Sequence, residues 1–326
     1  MVSLDLVRRP RPRAVLIRLG LSDPALRRLV RQGQLQLHHR HYLDGRVPRD
    51  QAIVACAQAA YPGSVVSHFS AAHLAGLNTW VDGARQPALR YDATWLTRPP
   101  SARRNQRRRD IVVRRAGLPA ADLSPSGLLL ATSAARTAVD LARELPLRES
   151  IVTLDDALRS GVSRAELLTV LDRQERWPGA RGARTAIDFG DPLSESALES
   201  VARVFFSTAG LPAPILQAQF FDGYQWMLER VDFWWPEFRL VAEADGLFKY
   251  DGNTQEERRR RIRDSYRRDQ RISDRGVELI HFGWEDVVQP SDLVARLRAA
   301  ARRGQARPGD TPIWRPTSTR PTTATA

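Results

Sequence analysis

"RVDFWWPEFRLVAEADGLFKY", residues 230–250, decides how the C-terminal third of this chain is read. Two runs rich in aromatic and aliphatic residues flank Pro236-Glu237-Phe238, the pattern of two strands joined by a tight turn. Side chains alternate across a strand with a period of two. Val241, Glu243 and Asp245 therefore share one face of the second strand, and Leu240, Ala242 and Ala244 share the other. Asp232 lies on the first strand, where the turn can bring it beside Glu243. Carboxylates gathered on one strand face are costly unless a cation or water compensates them. The same stretch holds Lys249, the single lysine among 50 basic residues in a chain of 326. If the strand continues past Gly246, Lys249 joins the acidic face. Its compact charge is tunable, which a guanidinium is not.

Working outward, residues 191–302 form one readable block. A helix starts near Ser194, and Leu198, Val201, Ala202 and Phe205 give it an apolar face. Glu199 lies at the rim of that face. "LPAP" ends the helix, "ILQAQFF" is a strand, and Asp222-Gly223 marks a turn before the strand that holds Asp232. A very polar helix runs from about Thr254 to Asp274, "VELIHF" is a fourth strand, and Ser291 opens a last helix. If the first helix packs across the sheet, Glu199 joins Asp232, Glu243 and Asp245 around one point. Such a set suits Mg2+ or Mn2+, which can activate water and stabilise charge on a phosphodiester. Lys249 would then help neutralise the transition state.

"SESALES", "GLPAP", the quoted stretch and "DRGVELIHFGWEDV" together resemble actinobacterial domains related to very-short-patch-repair endonucleases, of the PD-(D/E)XK superfamily. The resemblance covers residues 191 to about 290 and implies an α-β-β-β-α-β, restriction-endonuclease-like core. It implies that Glu199 is the helix acid, Asp232 the strand acid and Glu243 the acid of the (D/E)XK pair. The superfamily lysine would fall two positions after Glu243, where this chain has Asp245.

The N-terminal part reads differently. Ser22 caps a helix, Pro24 sits in its first turn and Gly33 ends it. Leu26, Leu29 and Val30 form its apolar stripe, leaving Arg27, Arg28 and Arg31 to point elsewhere. Leu35 and Leu37 then alternate with polar residues as in a strand. Helix, turn, basic helix and short hairpin is the order of a winged helix-turn-helix, whose second helix enters the major groove. "LGLSDPALRRLVRQGQLQLHHRHY" resembles the winged-helix region of AbiEi-type antitoxins over about residues 13–76. That resemblance implies binding to the protein's own promoter and a nucleotidyltransferase toxin as partner. "HHRH" at 38–41 could place His39 and His41 on one strand face, but no third metal ligand is evident, so a wing or surface role fits better.

Residues 49–76 read as helical, and strands follow at "ALRYDATWL", "DIVVRR" and "GLLLAT". Ser133 then caps a helix, two more helices follow, and "RWPGARGART" reads as a Gly/Arg linker. The expected organisation is a winged-helix-like DNA-binding unit at 1–48, an antitoxin-like mixed α/β region at 49–190, a nuclease-like domain at 191–302 and a disordered tail at 303–326. The fold class is α+β, multidomain.

The formal charge of +13 favours a phosphate-rich partner through counterion release. The run "EERRRRIRDSYRRDQR" supplies Arg259, Arg260 and Arg263 for such contact, although a solvated helix laced with i,i+4 pairs accounts for it as well. One cysteine, Cys56, excludes an internal disulfide. No apolar run is long enough to span a membrane and no secretory signal opens the chain, which points to the cytoplasm and to no membrane partner. Two readings stand. One is a DNA-binding protein whose nuclease-like domain hydrolyses DNA with Mg2+ or Mn2+. The other is a catalytically inactive transcriptional regulator or antitoxin of a type IV toxin–antitoxin system.

Overall fold

A computed structural model describes residues 7–82, 92–101, 106–107, 110–245, 255–289 and 292–317. In chain order the first elements are β1 (Arg11–Pro12), α1 (Arg13–Arg18), α2 (Asp23–Arg31), β2 (Leu35–His38), β3 (His41–Asp44) and α3 (Arg49–Ala60). Then come β4 (Val65–Val66), α4 (His68–Leu74), β5 (Thr94–Arg98), β6 (Gln106–Arg107), β7 (Ile111–Arg115), β8 (Leu123–Ser126) and β9 (Leu129–Thr132). The helices α5 (Ala134–Glu144), α6 (Leu147–Arg159), α7 (Arg164–Asp172), α8 (Ala180–Phe189) and α9 (Ala197–Thr208) follow. The chain continues with β10 (Ile215–Phe220), β11 (Val231–Trp235), β12 (Leu240–Ala244), α10 (Gln255–Ser273), β13 (Glu278–Phe282), α11 (Trp284–Val288), α12 (Leu293–Gln305) and β14 (Trp314–Arg315). They divide into two compact units, Met1–Glu144 with Arg164–Arg181, and Leu145–Ser163 with Gly182–Ala326.

The first unit begins with the small basic motif. Ser22 Oγ accepts from Ala25 N at 3.4 Å, Pro24 sits in the first turn of α2, and Gly33 takes φ +69° just past its end. Leu26 is fully buried with Leu16, Leu35 and Tyr42, while Arg27, Arg28 and Arg31 are exposed. The strands β2 and β3 form a hairpin, and β1 pairs with β3 to give the order β1-β3-β2. The hairpin turns on His39 and Arg40, both with positive φ (46° and 63°). Two left-handed residues match the twist of the flanking strands. His39 is thus a turn residue, and the shared strand face expected for His39 and His41 does not form.

Beyond it lies a six-stranded mixed sheet, ordered β6-β7-β5-β4-β9-β8. Residues 94–97 of β5 and 111–113 of β7 are buried in succession, as in strands covered on both faces. The uniform helix expected over 49–76 is instead α3 and α4 with β4 between them, because Val65-Val66 bridges β5 and β9. Buried polar groups pin this unit. Arg136, 1% exposed, donates to Asp122 at 2.7 Å, to Asp140 at 2.8 Å and to the Gly117 carbonyl at 3.0 Å. His68, buried and at φ +51°, meets Ser67 Oγ at 2.9 Å, and Thr97 Oγ1 donates to the same hydroxyl at 2.8 Å.

The second unit carries α6, α8 and α9 ahead of a five-stranded sheet ordered β13-β12-β11-β10-β14. Only the β12–β13 pair in it is parallel. Residues 180–185 of the expected linker open α8 instead, because Ala183, Ala186 and Ile187 supply a buried stripe. The helix before the sheet is capped by Ser196 rather than starting at Ser194. Phe206 of α9 packs edge-on against Phe233, Trp235 and Phe282, with ring centroids 5.1–5.6 Å apart. Trp234 points to the opposite side and clusters with Phe220 and Ile272. In the order α9, β10, β11, β12, α10, β13, Phe206 of α9 thus packs on one side of the sheet and Ile272 of α10 on the other.

Of the stretch expected to be a disordered tail, residues 303–317 are described and carry regular structure. Residues 303–305 finish α12, and β14 pairs with β10. Trp314 packs on the core and Arg315 stacks over Trp226 at 4.2 Å, which gives this polar segment an anchor. Ser291 and residues 318–326 lie outside the described residues.

Candidate functional site

The β11–β12 ladder pairs Phe233 with Ala242 and Trp234 with Val241. One step along it, Asp232 stands opposite Glu243, on the same side of the sheet. The parallel ladder sets His281 beside Glu243. Asp232, Glu243 and His281 thus form a row across three strands.

Glu199 reaches this row indirectly. It sits in the first turn of α9, where Ser196 and Glu199 form a reciprocal cap. Glu199 N donates to Ser196 Oγ at 3.2 Å, Ser196 Oγ donates back to Glu199 Oε1 at 2.8 Å, and Glu195 N donates to Oε2 at 2.9 Å. Gln217 of β10, at φ +52°, then donates to Glu199 Oε2 at 3.1 Å and to Asp232 Oδ1 at 3.5 Å. Burial, and after it the charge of Asp232, pushes the Glu199 carboxyl up to about 7 in spite of these donors.

Glu243 is 1% exposed and paired. Arg268 Nη2 lies 3.0 and 3.1 Å from its two oxygens and donates also to the Arg230 carbonyl at 2.8 Å. Arg268 is held there because Ile272, one turn further along α10, is fully buried against the sheet. Burial pulls the guanidinium down, but Glu243, by charge and hydrogen bond, holds it above its ordinary value with help from Asp232 and Asp269. Asp232 Oδ2 accepts from Ala244 N at 2.8 Å. Asp245 is turned to His281 Nδ1 at 2.9 Å, and His281 Nε2 faces Asp269 at 3.1 Å. The hydrogen bond to Asp245, opposed by burial and aided by Asp269, raises the His281 pKa.

Glu199, Asp232 and Glu243 therefore belong to one polar cluster, whereas Asp245 belongs to the His281 side of it. Lys249 lies outside the described residues. Among the described residues no three acidic, histidine or cysteine side chains are grouped to hold a metal ion. Sequence reasoning missed Gln217, Arg268, Asp269 and His281. His281 was accessible from the strand "VELIHF", once that strand is set parallel to β12. Arg268 was hidden among the other arginines of its helix.

A basic surface is exposed in each unit. In the first unit it is the outer face of α2, with Arg27, Arg28 and Arg31. In the second unit Arg259, Arg260 and Arg263 are exposed on α10, and Arg259 and Arg263 line an open groove with Gln255 and Glu256. No helix among the described residues is long and apolar enough to cross a membrane.

Fold and surface define a mixed α+β protein of more than one domain, with basic helices presented to solvent. Residues 18–184 match the model of the AbiEi antitoxin C-terminal domain, and the chain belongs to that family. The match takes in α2 and most of the middle region as the antitoxin's C-terminal domain, whereas the resemblance read from the sequence is to the antitoxins' winged-helix region over about residues 13–76. It ends ahead of α9 and does not reach the residues whose motifs resemble nucleases. The chain is also 35% identical over 170 residues to uncharacterized proteins of Mycobacterium tuberculosis from strains CDC 1551 and H37Rv. That alignment covers 52% of this chain and 60% of each relative.

Proposed function

We propose that the chain is a DNA-binding regulator of the antitoxin class, paired with a nucleotidyltransferase toxin. The observation that carries this reading is the membership of residues 18–184 in the AbiEi antitoxin family. The order β1, α1, α2, β2, β3 supports a winged helix with α2 as the recognition helix, its arginines turned outward and its apolar stripe turned in. The excess of cations supports a nonspecific attraction to DNA. In the second unit the very-short-patch-repair-like, PD-(D/E)XK element order supports a module that holds DNA, with Arg259, Arg260 and Arg263 on the phosphates. The test is fluorescence anisotropy of the full chain on a duplex from its own upstream region, against a scrambled duplex, in EDTA. Tighter binding to the upstream duplex is expected; equal or absent binding to both would sink the regulator reading.

A second reading is a Mg2+- or Mn2+-dependent endodeoxyribonuclease. The observation in its favour is that Asp232 and Glu243 face each other, with Glu199 joined to them through Gln217. In that reading Asp232, Glu243 and Glu199 would hold the ion, which would supply an activated water and charge stabilisation, and Asp245 and Lys249 would assist. The side chains as placed do not fit a resident ion. The carboxylate oxygens of Glu243 face Arg268, and those of Asp232 and Glu199 accept from backbone and side-chain donors. This favours holding over cutting.

A further inference from the structure

We propose that Arg268 is the built-in cation of the acidic cluster, standing where the nuclease resemblance calls for a divalent metal. The proposal rests on the nuclease-like reading of the second unit and departs from it on the metal. Three observations carry it. Glu243 is almost wholly buried, and an ionised carboxylate at such a depth needs a counter-charge at all times. Arg268 provides that charge to both oxygens from a single nitrogen. It is also locked, because the same nitrogen donates to the Arg230 carbonyl and the helix is anchored by buried Ile272 one turn on.

A divalent ion shared by Asp232 and Glu243 would have to bind their oxygens at roughly 2.0–2.6 Å. With Arg268 Nη2 already 3.0 Å from Glu243 Oε1, that ion would lie against the guanidinium, and like charges at that range repel strongly. Ion and arginine are therefore alternative occupants of one position. The remaining groups around the cluster do not restore room for the ion. Glu199 is capped by Ser196 and Glu195 N, Asp232 accepts the Ala244 amide, and Arg230 is itself paired with Glu195 at 2.7 Å.

The test is calorimetric titration of MnCl2 into the full chain, for wild type, Glu243→Gln, Arg268→Ala, Arg268→Lys and Arg268→Ala combined with Glu243→Gln, with circular dichroism confirming the fold. Wild type and Arg268→Lys are expected to show no saturable binding up to about 1 mM, near the weak limit of protein sites for hard divalent ions. Arg268→Ala is expected to gain a single site at least tenfold tighter than that limit, and Arg268→Ala combined with Glu243→Gln to lose it. Saturable Mn2+ binding by wild type that disappears in Glu243→Gln would overturn the proposal, and this arm does not depend on any Arg268 variant folding. A folded Arg268→Ala that binds no better than wild type would overturn it too. The readout involves neither DNA nor toxin, so its failure leaves the antitoxin reading to be judged by duplex binding.

Discussion

If α2 is a recognition helix, replacing Arg27, Arg28 and Arg31 together by Ala should change how DNA affinity depends on salt. Arg27 and Arg31 are one helical turn apart, about 6 Å along the axis, and Arg28 lies beside Arg27. All three are exposed, so each can reach one phosphate. Each phosphate contact contributes about 0.9 to the slope of log K against log salt, so the triple variant should lose about 2.7 from that slope. Between 50 and 200 mM salt, wild type should therefore weaken about 40-fold more than the variant does. Arginine and alanine are both good helix formers and Leu26 stays in place, so the helix should survive the change. The assay is fluorescence anisotropy on a labelled duplex at four salt concentrations. Equal slopes for the two proteins, within about one contact, would remove α2 from the DNA interface.

Arg136→Ala should destabilise the first unit by about 3–5 kcal/mol, because it leaves buried Asp122 and Asp140 short of a cation. Arg173 and Arg143 still touch those acids, which favours the lower end of the range; calorimetry reads the loss, and a change below about 1 kcal/mol would contradict the assignment. The contribution of the acidic cluster to stability should also rise as the pH falls from about 8 to about 5. Glu199 titrates near 7 in the fold and its ordinary carboxylate value is lower, so folding takes up a proton between them. The raised His281 pKa acts in the same direction, its contribution being full below about 6.5 and fading as the pH climbs through the folded value. Glu199→Gln and His281→Gln should each flatten the profile of denaturation midpoint against pH between about 5 and 8, and an unchanged slope in both would refute the cluster's electrostatics.

Much of this molecule was legible where local chemistry acts alone. Ser22, Pro24 and Gly33 delimit α2 as their conformational preferences require. The Pro236 turn fixed the register that sets Asp232 opposite Glu243, because a four-residue connection between antiparallel strands leaves little choice. Other features depend on partners distant in sequence. Val65-Val66 is too short to read as a strand until β5 and β9 flank it. Residues 314–315 look like part of a polar tail until Trp226 and the β10 edge are known. Arg268 cannot be told from neighbouring arginines without the position of Ile272 on the helix and of Glu243 beneath it. His39 and Arg40 adopt left-handed turn conformations that sequences usually give to Asn and Gly, so the hairpin turn carried no signal.

On the reading proposed above, the chain holds DNA without cutting it. This is tested most directly by incubating the full-length protein with supercoiled plasmid, in Mg2+, in Mn2+ and in EDTA, and running each reaction before and after removal of protein. A retarded plasmid is expected in all three conditions, with intact supercoiled DNA once the protein is removed. Nicked or linear plasmid that forms only with a divalent ion, and no longer forms with Asp232→Ala or Glu243→Gln, would contradict it and establish the nuclease.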